Sequence, residues 1–164
     1  MVDMTKVANI ILYMLHKQVK GLNNKKVELM LFFMEKNHLD FFNQKIVNEE
    51  FIKDKRGVKA KNLSEIFELI IDEVDLDEDD ERVYFIQELL DFLEIDIVEK
   101  NGYKELNFSK FEEDFSEELF SKDEFKTIHK VVSLYKDTTV RNLANESFSI
   151  DKVRNTELGD LILW

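Results

Sequence analysis

The chain has no cysteine and no proline, and only 4 of its 164 residues are glycine. Without cysteine there is no disulfide framework and no thiolate zinc site, which suits a reducing compartment. Without proline, and with Gly21, Gly57, Gly102 and Gly159 each standing alone, linker candidates are few and no domain boundary is visible. One domain over residues 1–164 is expected, a length that supports a real core. The isolated glycines also leave no Gly-rich loop to cradle a phosphate. No apolar run approaches the roughly 18 residues of a membrane span, and no basic start leads into an apolar run with a small-residue cleavage site. A cytoplasmic protein with no membrane partner is the expectation.

Histidine is sparse as well. His16, His38 and His129 form no His-Glu-x-x-His pattern and no pair at helical spacing, so a metal-hydrolase site has no anchor. The acidic run at Asp75, Asp77 and Asp79 alternates as in a calcium-binding EF-hand loop. It fails in that register, because Asp80 stands at the glycine position and Ile86 at the terminal glutamate. Starting at Asp77 places Glu88 correctly but puts Arg82 where glycine is needed. A loop whose acids favour the N-terminus of the next helix explains the run. The expectation is a non-enzyme with no metal and no cofactor.

What the chain does have is charge, unevenly spread. Its net charge is −12, with 44% hydrophobic and 35% charged residues, a globular composition. Residues 1–64 carry 12 Lys/Arg against 7 Asp/Glu, a net of +5; residues 65–124 carry 5 against 23, a net of −18; residues 125–164 carry 6 against 5. Such a field repels nucleic-acid phosphate and attracts a basic partner surface, although solvated helix faces would give the same pattern. A short basic cluster, Lys45, Lys53, Lys55, Arg56, Lys59 and Lys61 around Phe51, could form a positive patch, which the rest of the chain opposes.

Periodicity predicts mostly amphipathic helices. The first runs from about Thr5 to Lys20 with Gly21 as its stop. A second, about residues 25–38, is apolar on nearly every face through Val27-Glu28-Leu29-Met30-Leu31-Phe32-Phe33-Met34 and must sit centrally. Asn62 with Glu65, Ser109 with Glu112 and Ser121 with Glu124 read as capping boxes opening further helices. A fourth helix covers about Glu81 to Leu93, and Thr139 starts a short one. Residues 95–108 read as a hairpin around Asn101-Gly102, the dipeptide suited to a type I′ turn. The expected fold is mainly α: a compact bundle of about seven helices around the buried central helix, with one small β-hairpin. The apolar ending Leu158 to Trp164 is expected to pack back onto the core, since exposed it would invite aggregation.

The run Lys26 to Phe33, followed by His38-Leu39, Glu49-Glu50-Phe51 and Gly57-Val58, resembles the Panacea (SocA-like) antitoxin domain. That family carries a Lys-Leu-Gln-Lys-Leu-Leu-Tyr-Phe helix, a His-Leu pair, Glu-Glu-Phe and a Gly-Pro-Val turn. Val7-Ala8-Asn9 resembles its first helix, and Phe120-Ser121, Tyr135 and Leu143-Ala144-Asn145 fall at similar spacing to its later elements, so the likeness covers most of residues 5–146. The chain departs from the pattern at Leu29, at Phe32, at Asp54 where a Trp is expected, and at a turn without proline. The resemblance implies an antitoxin that neutralises a toxin encoded nearby by direct protein–protein binding, in some cases as an adaptor delivering it to a protease. The alternative is a phage or mobile-element anti-defence inhibitor with an acidic, nucleic-acid-mimicking surface. Expected partner-binding residues are His38, Glu49, Glu50, Phe51, Lys55, Arg56 and Gly57 from the central helix end and the following loop. Asp77, Asp79 and Asp80 join them from the acidic segment, which would steer a basic toxin.

Overall fold

Asn23 starts the element around which the chain is arranged: its side chain accepts from the Lys26 N–H and caps a 19-residue helix. The structure, a computed structural model, describes residues 1–111 and 114–164. In order these form α1 (Met4–His16), α2 (Asn24–Phe42), β1 (Phe51–Asp54), β2 (Gly57–Ala60), α3 (Lys61–Ile71), α4 (Glu81–Phe92), β3 (Leu93–Lys100) and β4 (Tyr103–Lys110). A 3-10 turn (Glu117–Leu119), α5 (Lys122–Tyr135), α6 (Val140–Phe148) and α7 (Asp151–Arg154) complete the chain. From Lys26 to Glu35 every residue of α2 is buried. It packs against α3, α5, α6 and both hairpins, and one hydrophobic cluster extends around it from Val2 to Ile162.

The expectation of a mainly α bundle with one hairpin is corrected. The fold is largely helical but α/β, with two separate two-stranded antiparallel sheets, β1-β2 and β3-β4. The second hairpin matches its prediction: Lys100 pairs with Tyr103, and Asn101 and Gly102 both take positive φ. The first was missed because its strands have four residues each and its turn is Lys55-Arg56. That reversal is completed by Gly57 at φ +107°, a turn closed by a glycine rather than an Asn-Gly pair.

Other boundaries shift for local reasons. Helix α1 stops at His16 rather than at Gly21, with Gln18 already left-handed. Helix α2 continues to Phe42 and ends on Asn43 in the left-handed region, which Asn tolerates. Asn62 does not cap α3, whose N-cap position falls two residues earlier, on Ala60, with no side-chain cap. Ser109 belongs to β4, and the Glu112 half of its expected box lies outside the described residues. The Ser121–Glu124 box is present in both directions, and Thr139 caps α6. The C-terminal segment does fold back: Ile162 N–H donates to the Phe51 carbonyl at 2.9 Å, and the Trp164 ring lies 5.4 Å from Phe32. Among the described residues no helix is long and apolar enough to cross a membrane.

Gly57 is where the first hairpin meets α6. A Cβ at this position would stand 2.9 Å from the Ala144 Cβ, at a φ that L side chains rarely adopt. Gly57→Ala should therefore cost roughly 2 kcal/mol or more, read as a lower urea midpoint with an unchanged slope. An unaltered midpoint would show that the hairpin adapts freely.

Candidate functional site

Glu28 and Glu35 are seven residues apart, two turns of α2, and so share one face of an otherwise apolar helix. Both are buried, and both serve the chain that follows. Glu35 accepts N–H bonds from Ile46 (2.5 Å), Val47 (3.1 Å) and Glu49 (3.2 Å), pinning the segment that leaves α2. Glu28 accepts from the Ala60 N–H at 2.9 Å, where β2 passes into α3. Glu49, also buried, accepts from the backbone of Glu50 (2.8 Å), Asn62 (3.3 Å) and Leu63 (2.8 Å) and from the Asn62 side chain (2.9 Å). It thus supplies from 13 residues away the N-cap that Ala60 cannot.

Burial raises the Glu35 carboxyl against the pull of its three N–H donors, and lifts Glu28 to about 7 against the pull of Lys25. Lys26 is their cationic counterpart. Its buried Nζ donates to the carbonyls of Lys20 (2.6 Å) and Lys136 (3.1 Å), tying the α1-α2 loop to the end of α5, and burial lowers its pKa.

The residues expected to bind a partner divide on this scaffold. His38 is buried, its ring against Phe42, with Nδ1 2.9 Å from the Thr127 hydroxyl. That hydroxyl donates to the Asp123 carbonyl, so it accepts from His38 Nδ1–H, and burial holds the imidazole below the usual histidine range. Glu49, Phe51 and Gly57 are buried too, whereas Glu50, Lys55 and Arg56 are exposed. Asp77 and Asp79 project from the exposed loop between α3 and α4; Asp80 instead caps α4 and pairs with Arg82, which reaches on to Glu65. No group of three or more metal-ligating side chains occurs among the described residues.

Lys55 and Arg56 open onto a cavity of about 680 Å³, of which the sequence's basic cluster marked only one side. It lies where the β1-β2 turn, the start of β4, the N-terminus of α2 and the sides of α3 and α6 meet. Six cationic side chains line it: Lys25, Lys55, Arg56, Lys59, Lys104 and Arg141. Four carboxyls accompany them, of which Glu105 is paired with Lys100 and Glu28 titrates near neutrality. Lys59, Lys55 and Arg56 belong to the basic cluster of the sequence; Lys104 and Arg141 arrive from 45 and more residues away.

Comparison with family models, with curated proteins and with solved structures gives no match. The Panacea resemblance stands on the residues quoted for it.

Two stability measurements probe this scaffold. Glu49→Ala strands the donors at the start of α3 and should cost roughly 2–4 kcal/mol, because buried N–H groups lose their acceptor; a loss under half a kcal/mol would mean that water replaces the carboxylate. For Glu28 the sign follows from a folded pKa of about 7 against 4.5 in the free side chain. The folded state holds the extra proton between those values, so this contribution is full below pH 4.5 and is lost as pH rises through 7. Glu28→Gln keeps an acceptor for Ala60 and should exceed the parent by roughly 3 kcal/mol at about pH 8, with the gap closing near pH 4.5. Urea curves with the same pH dependence in both proteins would refute it.

Proposed function

We propose that this chain is an antitoxin-like protein that neutralises a partner toxin by direct protein–protein binding, in the cytoplasm. The observation that carries the reading is the loop between α3 and α4. Asp72, Glu73, Asp75, Asp77, Glu78 and Asp79 are all exposed there, between a helix anchored through Glu49 and a helix capped by Asp80. Fixed carboxylates of one sign on a rigid base are what electrostatic steering of a basic protein requires. The Panacea resemblance supports the same reading, and binding of this kind calls for no catalytic group or cofactor. An adaptor role would hold the toxin on this surface and offer a protease another.

A second reading, an anti-defence inhibitor that imitates nucleic-acid charge, draws on the exposed Glu94 and Asp96 on one face of β3, which extend the acid beyond the loop. The two differ in partner: a toxin encoded beside this chain, or a nucleic-acid-cleaving defence protein.

Co-expression with the product of the neighbouring gene, scoring growth rescue and co-purification together, tests the first reading. A neighbour that is harmless alone and never co-purifies would defeat it. In the complex, Asp77→Lys with Asp79→Lys should slow association roughly tenfold and flatten its salt dependence, leaving dissociation little changed. Asp80 is left intact because its reversal would uncap α4. An unchanged association rate and salt dependence would remove the acidic loop from the interface.

A further inference from the structure

The cationic cavity is opposite in charge to the acidic loop that the proposed toxin reading uses. Among the described residues, Lys55, Arg56, Lys59, Lys104 and Arg141 make no ion pair and no side-chain hydrogen bond, although Lys20, Lys36, Arg82, Lys100, Lys110 and Arg154 each meet a carboxylate. Against six cations the same lining sets Asp54, Glu68, the near-neutral Glu28 and the Lys100-paired Glu105, so the concavity keeps a net positive field whose self-repulsion an anion would relieve.

The cavity is also held open by fixed contacts. The close approach of Gly57 to Ala144 locks the Lys55-Arg56 turn beside Arg141. The Asn24 side chain accepts from the Leu106 N–H at 2.9 Å, and Asn23 donates to Glu105, which holds Lys104 at the start of α2. The first turn of α2 borders the space and adds the positive end of a helix dipole, while α6 presents the side that carries Arg141.

We propose that this cavity is a binding site for a nucleotide-sized small molecule carrying at least two phosphate groups. Its volume, about 680 Å³, falls within the range of small-ligand sites. Five cations distributed over a turn, two strands and a helix suit several phosphates rather than one, and arginine in two of these places offers the planar fork that grips phosphate oxygens in pairs. Tyr103, 55% exposed beside Lys104, presents an aromatic face at the rim for a flat ring. A long nucleic acid is disfavoured, because beyond the cavity its phosphates would meet a chain of net charge −12, whereas a small anion stays within the positive concavity.

The test is calorimetric titration of the whole chain at low salt with inorganic pyrophosphate, with ADP and with a single-stranded RNA. Saturable one-site binding of pyrophosphate or ADP is expected. Arg56→Gln and Arg141→Gln, both at exposed unpaired positions, should each weaken it about tenfold, and Lys126→Gln, on α5 away from the cavity, should leave it unchanged. Tighter ADP binding that Tyr103→Ala abolishes would assign a nucleotide; equal affinity for the two probes would assign another multiply phosphorylated molecule. No saturable binding, equal loss in the Lys126 variant, or RNA binding where both small probes fail would overturn the proposal. Growth rescue by the Arg56 and Arg141 variants reads the antitoxin function separately, so failure of either reading leaves the other open to its own result.

Discussion

The structure depends on buried carboxyls that meet backbone rather than cations. Glu28 and Glu35, on one face of α2, and Glu49, in the segment that follows it, accept eight hydrogen bonds among them, seven from backbone N–H groups between Ile46 and Leu63. That stretch contains an irregular segment, a short hairpin and the uncapped start of a helix, all pressed against the core. Its donors would otherwise be buried without acceptors, each at a cost of about 1–3 kcal/mol. Placing the acceptors on the central helix and its exit segment lets irregular backbone lie next to apolar side chains.

Charge is unevenly distributed around this scaffold. Among the acids of the 46–63 region only Glu49 turns inward as a backbone acceptor; Glu50 is exposed and Asp54 lines the cavity, where Lys55, Arg56 and Lys59 converge with Lys104 and Arg141. Over half of the acids of residues 65–124 lie on the α3-α4 loop, α4 and β3, where side chains such as Asp77, Asp91 and Asp96 are exposed. A chain that is acidic overall thereby presents two surfaces of opposite sign, suited to ligands of opposite charge.

Much of the fold was legible because its signals are local. The caps at Ser121 and Thr139 and the Asn101-Gly102 turn act within four residues, so spacing alone identifies them. The buried run of α2 followed from apolar residues on every face. The candidate site was less legible. Lys55 and Arg56 were singled out, but His38, Glu49, Phe51 and Gly57 proved to be core or scaffold, because a residue that matches a family pattern can match it for packing. Two glutamates seven apart inside an apolar helix were the available sign of buried acceptors.

The sequence by itself determined where α4, α5 and α6 begin, that Val27 to Met34 would be interior, and that acid would dominate the middle of the chain. These follow from capping, periodicity and composition, each of which needs only neighbours along the chain. Only the tertiary structure decided that Glu49 would cap α3, that Gly57 would lie against Ala144, and that Arg141 and Lys104 would join Lys55 and Arg56 around one cavity. Those pairings link residues 13 to 87 positions apart, and they are set by how the hairpins dock on α2 and α6, which no local pattern encodes.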